Sequence, residues 1–137
     1  MRTTKRSTTL IDANVILRYL IPDNTDQSRL AIEILENQTV FVSEAILLEV
    51  VYVLSSVYKQ SREDIGDLLT VLFSSKSVQL SNKRAVLYAI DEYVLRSLAF
   101  ADLLLYAYHV KDGYEIITFD KKLNKLIERY NQTEVTP

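Results

Sequence analysis

Short apolar runs with strand character alternate along this chain with segments whose apolar residues recur at helical spacing. Thr8–Asp12, Thr39–Val42, Ser77–Leu80 and Glu115–Thr118 are the expected strands. Helices are expected over Ala13–Leu20, about Gln27–Glu36, Ser43 to about Tyr58, Arg62–Phe73, Lys83–Leu95, Ala99–Lys111 and Lys121–Tyr130. Pro22 and the polar stretch Asp23–Asp26 end the first helix and can cap the second. Ser43 suits an N-cap and Gly113 a helix end. Thr133–Thr136 is a candidate short last strand. Strands separated by helices must cross over and pair in parallel, with both faces of the sheet covered. The expectation is therefore an α/β fold around a central parallel sheet.

No linker, repeat or low-complexity tract divides the sequence. Its 137 residues suit one domain, 1–137, with a polar, basic extension over 1–7. A hydrophobic share of 48% is enough for a substantial core. No apolar run reaches membrane-spanning length, and the polar start does not read as a secretory signal. With no cysteine, disulfides and thiolate chemistry are excluded, which fits a cytoplasmic location. Two glycines, Gly66 and Gly113, cannot supply a dinucleotide-binding fingerprint or a P-loop. His109 is the single histidine and no nucleophile elbow accompanies it, so a Ser-His-Asp triad is not expected. It fits a helix surface or the edge of the core. The net charge of −2 means that any hold on nucleic acid must come from a local basic patch.

The chemistry lies in four acids set in apolar surroundings. Asp12 is the sole charge between Arg6 and Arg18 and ends an apolar strand. Glu49 stands alone between Glu44 and Lys59, and Asp102 alone between Arg96 and Lys111. Asp120 directly follows Ile116–Phe119. A buried carboxylate needs a partner or a cation, and no Lys or Arg lies one helical turn from Glu49 or Asp102. Asp12 and Asp120 fall at the C-terminal ends of expected strands, where open parallel sheets bind ligands. Oxygen ligands without Cys or His suit Mg²⁺ or Mn²⁺. Such ions activate water and neutralise a phosphodiester, so phosphodiester hydrolysis is the expected reaction. Asn14 is placed to fix Asp12 by a hydrogen bond, and Thr118 to orient a water near Asp120.

Plainer roles fit the same residues. Asp12 and Asp120 each precede a helix and suit N-caps. Asp102 suits the positive end of a helix dipole, Glu49 a solvent-facing turn, and Thr118 a strand. Lys121, Lys125 and Arg129 recur every four residues and form a basic row beside Asp120. That row suits RNA phosphates or a solvated helix face. Arg18 is a further candidate for RNA contact. The nine tyrosines fall mostly at core spacing.

Leu10-Ile-Asp-Ala-Asn-Val-Ile-Leu-Arg-Tyr-Leu20 resembles the opening motif of PIN-domain proteins, especially the VapC-type toxins. Ser43–Leu54 is similar to the second acidic motif of that family, Phe100–Ala107 to the third and Thr118–Leu123 to the fourth. Each motif is short, but all four stand in the family's order across nearly the whole chain. Leu103 and Leu104 depart from the smaller residues frequent in the third motif, and the first residues extend beyond the usual start. The resemblance implies a three-layer α/β/α sandwich, Mg²⁺ or Mn²⁺ at Asp12, Glu49, Asp102 and Asp120, and endoribonuclease activity. It also implies a toxin neutralised by an antitoxin protein, and a homodimer. The competing readings are a PIN nuclease that processes RNA without being a toxin, and a binding domain that has lost catalysis. A phosphatase or receiver domain is a further alternative, but it would want a second acid where Asn14 stands.

Overall fold

The computed structural model describes residues 8–135. The expected extension over 1–7 lies outside the described residues. The elements run β1 (Thr9–Leu10), α1 (Ala13–Leu20), α2 (Asp26–Asn37), β2 (Val40–Phe41), α3 (Glu44–Ser56), α4 (Arg62–Ser74), β3 (Val78–Gln79), α5 (Lys83–Leu95), α6 (Phe100–Asp112) and α7 (Lys121–Val135). The strands pair in parallel in the order β1-β2-β3, with Thr9 opposite Val40 and Val40 opposite Val78. Helices cover this sheet, giving the expected α/β/α sandwich. Val40 of the middle strand and Val42 just past its end are fully buried, and their amides bond the carbonyls of Ser77 and Gln79 at 2.8 and 2.9 Å.

The helix starts follow local chemistry. Asp12, Thr25, Ser43, Ser61 and Asn82 each accept a hydrogen bond from an amide in the first turn they cap. Gly113 ends α6 at φ 75°, a left-handed conformation that suits glycine at a helix end. Gly66 sits buried in α4, where an added Cβ would fall 2.3 Å from Val94 Cγ2 of α5. Arg62 joins the same seam. Its Nε donates to the Tyr93 carbonyl at 2.8 Å, its NH2 to the Leu98 carbonyl, and its guanidinium lies 3.7 Å over the Tyr93 ring. One side chain of α4 thereby fixes the end of α5 and the loop that starts α6.

Two expected strands are not present. Glu115–Thr118 forms no strand, and the chain from Gly113 to Asp120 has no regular structure. No edge of the three-stranded sheet pairs with it, and Ile117, 94% exposed, and Phe119, fully exposed, gain no burial that would offset the missing pairing. Thr133–Val135 continues α7 instead of forming a strand; Thr136 lies outside the described residues. Helix α7 is anchored by buried Leu123, Leu126 and Ile127, with Tyr130 edge-on to Tyr106. His109 takes the core-edge role. Its ring nitrogens lie 2.7 Å from the Tyr114 carbonyl and 2.6 Å from Asn131 Oδ1, tying α6 to α7.

Candidate active site

Asp12 is exposed and caps α1, accepting from the Val15 amide at 3.1 Å. It lines a cleft of about 220 Å³ between α1 and α2, together with Asn14 and Arg18. Asn14 forms no hydrogen bond to Asp12 among the described residues. Arg18 is already engaged: NH1 pairs with Asp23 Oδ2 at 3.1 Å and reaches Thr25 Oγ1 at 3.2 Å. Asp23 also accepts from the fully buried Ser28 hydroxyl at 2.8 Å and from the Thr25 amide at 3.0 Å. The Thr25 and Ser28 donors hold the Asp23 carboxyl down at about 2. From sequence, Asp23 belongs to the polar stretch that ends the first helix and can cap the second, not to a hydrogen-bond network. The hydroxyls that follow it at i+2 and i+5 were the available signal.

Asp120 is exposed and caps α7 through the Leu123 amide at 2.8 Å. Thr118 Oγ1 accepts from the Asp120 amide at 3.0 Å, and Asn124 donates to the Thr118 carbonyl at 2.9 Å. The turn before α7 is thus a self-contained loop that aims Asp120 at its own helix. Asp102 stands in the first turn of α6, which begins at Ala99 without a side-chain cap. It is half-buried. Burial raises its pKa first, and the negative charge of Asp120 raises it further. These two carboxylates therefore lie in each other's field.

Glu49 lies mid-way along α3 and is exposed. The isolation of the acids in apolar sequence suggested burial for all of them. Instead Asp12, Glu49 and Asp120 face solvent, because Val50, Val51, Ile11, Ala13 and Leu123 beside them turn to the core. Among the described residues, no three acidic or histidine side chains are grouped closely enough to hold one cation. The link among the four acids is electrostatic: Asp102 feels the negative charge of Asp120. Their chemistry still fits Mg²⁺ or Mn²⁺: a small hard cation is often held by one or two carboxylates, with water and substrate phosphate filling the remaining positions.

Glu44 is a further acid near α6. It accepts a hydrogen bond from the Tyr108 hydroxyl, and burial together with that contact pushes Tyr108 up to about 12. This contact joins the start of α3 to α6. No helix among the described residues is long and apolar enough to cross a membrane.

The sequence matches the PIN domain model over residues 9–128, which spans all four acids and begins just after the basic extension. It is also 29% identical over 92 residues to a VapC ribonuclease of Aquifex aeolicus (strain VF5), covering 66% of this chain and 68% of that protein. No solved structure gives a significant match. With acids at the starts of α1, α6 and α7, a parallel sheet between helices, and a family match along most of its length, the chain belongs to the PIN-domain family.

Proposed function

We propose that the protein is a divalent-metal-dependent endoribonuclease that hydrolyses RNA phosphodiester bonds, acting as the toxin of a toxin–antitoxin pair. The observation that carries this is the raised Asp102 carboxyl in the field of Asp120, in a chain whose PIN-domain match spans all four candidate acids. Similarity to a VapC ribonuclease supports RNA as substrate and an antitoxin as partner. Asp102 and Asp120 would hold Mg²⁺ or Mn²⁺, with Asp12 and Glu49 as the other acids of an all-oxygen set. Such a cation supplies an activated water and neutralises the phosphodiester charge.

The chain's own groups set the conditions for this chemistry. Asp102 keeps its proton to higher pH than an ordinary aspartate, because burial and Asp120 both disfavour its charge. It must lose that proton to act as a ligand, so activity rises with pH through the Asp102 titration. Thr118 and Asn124 fix the backbone at Asp120, which holds that carboxylate at the start of α7. An acidic site of this kind attracts Arg or Lys, so the antitoxin is expected to present a basic side chain to it. A homodimer and a cytoplasmic location complete the proposal.

The test is purified protein on a panel of structured RNAs, with EDTA and with Mg²⁺ or Mn²⁺ restored. Cleavage should stop in EDTA and return with either ion. Asp102→Asn should lower cleavage by at least about 100-fold, as expected when a group in the reacting site is removed. Full activity in EDTA would rule out the mechanism, and wild-type cutting by Asp102→Asn would remove Asp102 from it.

A further inference from the structure

We propose that Arg96, Lys122, Lys125 and Arg129 form a phosphate-binding groove along which the RNA backbone runs to the carboxylate pair. The groove is a cleft of about 340 Å³ between the α5–α6 loop and α7. Leu95, Leu98 and Leu126 contribute its apolar surface. A second cleft of about 310 Å³ shares Arg96 and Arg129 and carries the path on to Thr133. The chain has a net charge of −2, yet these four cations gather in one place.

The register differs from the expected row. Lys122, not Lys121, lines the groove with Lys125 and Arg129, because Leu126 on the same helix turns inward between them. Arg96 Nε is paired with Glu92 at 2.6 Å. Among the described residues Lys122, Lys125 and Arg129 have no carboxylate partner. Three cations without a counter-charge beside a cleft hold an anion more readily than they hold solvent alone.

The shape favours a polynucleotide. A helix rises 1.5 Å per residue, so Lys122 to Arg129 spans about 10 Å, roughly three stacked nucleotides. Apolar side chains between the cations suit sugars and bases, which an acidic peptide does not offer. Position gives the direction. Lys122 is two residues beyond Asp120, and Leu98 is four residues before Asp102. The groove end at Leu98 and Lys122 is thus the end close in sequence to both acids, and the other leads away along α7.

This inference rests on the nuclease reading for its direction, but its affinity does not depend on cleavage. The test measures binding of a labelled short single-stranded RNA by fluorescence anisotropy in EDTA, over a salt series. For single strands, each lost phosphate contact lowers the salt slope by about 0.7 and, near 0.1 M salt, the affinity by about fivefold. Lys122→Gln, Lys125→Gln and Arg129→Gln should each show that loss, and the triple variant a loss of about 100-fold with a slope smaller by about 2. Lys76→Gln, in the exposed turn after α4, should bind as wild type does. In cleavage assays the triple variant should raise KM and leave kcat at saturating RNA unchanged.

Unchanged affinity and salt slope in the triple variant would overturn the groove while leaving the nuclease intact. Loss of poly-glutamate binding without loss of RNA binding would overturn it in favour of an acidic protein partner. Groove-dependent RNA binding by a protein that cuts no RNA with Mn²⁺ would support the groove and end the nuclease reading.

Discussion

Asp12 borders a region held by Arg18, Asp23, Thr25 and Ser28, a network that joins α1 to α2 across several residues. Asp120 is held by bonds among its immediate neighbours Thr118, Leu123 and Asn124. Both acids end apolar stretches, and both cap helices. The difference is pairing. Thr9 and Leu10 are exposed, Leu10 at 71%, yet they lie against Val40 and Phe41 of the middle strand, and Ile11 beyond them is buried. Ile117 and Phe119 are exposed too, but no strand among the described residues receives them. An apolar stretch becomes a strand only where a partner edge receives it, and local composition does not supply that edge.

The largest effect expected from this contrast is in stability. Phe73, fully buried on α4, should cost about 3–5 kcal/mol when changed to Ala, the usual range for emptying a buried aromatic site. Phe119→Ala should stay within about 0.5 kcal/mol, as for surface positions. Urea denaturation of the two variants reads both numbers. A loss near 2 kcal/mol at Phe119 would break the comparison: it would mean that the 114–119 segment docks on the body in solution and that the sheet gains a fourth strand there.

A smaller effect is expected where α4 meets α5, on the well-packed side. Gly to Ala inside a helix normally stabilises by about 1 kcal/mol. At Gly66 the new methyl would meet Val94 Cγ2 at 2.3 Å, and overpacking of that kind costs about 1–3 kcal/mol. Gly66→Ala should therefore destabilise by about 1 kcal/mol, and Val94→Ala in the same chain should restore it. Stabilisation by Gly66→Ala alone would show that the seam gives way, and that Arg62 holds the start of α6 less firmly than its bonds to Tyr93 and Leu98 imply.

Much of this arrangement could be read from sequence. Helical periodicity located the seven helices among the described residues, and short apolar runs located the three strands, β1 within Thr8–Asp12 and the two around Val40 and Val78, whose side chains reach the core. The acids were visible as isolated charges, and their capping roles followed from their place before helices. Their exposure was not visible. A charge among apolar residues on a helix still faces water when the apolar residues point the other way, as Val50 and Val51 do beside Glu49. The long-range bonds were equally hidden. Arg62 reaches across 31 and 36 residues to Tyr93 and Leu98, and Tyr108 across 64 to Glu44, distances over which sequence spacing carries no signal. The strand expected at Glu115–Thr118 failed for the opposite reason: its local pattern was right and its tertiary partner was missing.

The two regions also differ in how their acids titrate, with opposite signs. Asp23 lies at about 2 against an ordinary 3.8, because the Thr25 and Ser28 donors favour its charged form. Its folded value is below its unfolded one, so its contribution is full above about pH 4 and is lost as pH falls towards 2. Asp102 is raised by burial and by Asp120, so the folded chain binds that proton more tightly than the unfolded chain does. Stability therefore falls as pH rises from 3.8 through the folded Asp102 titration, and the charged Asp102 carboxylate, half-buried and in the field of Asp120, opposes folding at neutral pH. Asp102→Asn removes this unfavourable charge and should leave the metal-free protein at least as stable as wild type at pH 7. Carboxyl-carbon NMR titration resolves the two groups in one experiment. Asp120→Asn should move the Asp102 midpoint down and leave Asp23 where it is. An Asp102 midpoint indifferent to Asp120→Asn would mean that the two carboxylates do not feel each other, and a pair that exerts no mutual field is too far apart to share a cation.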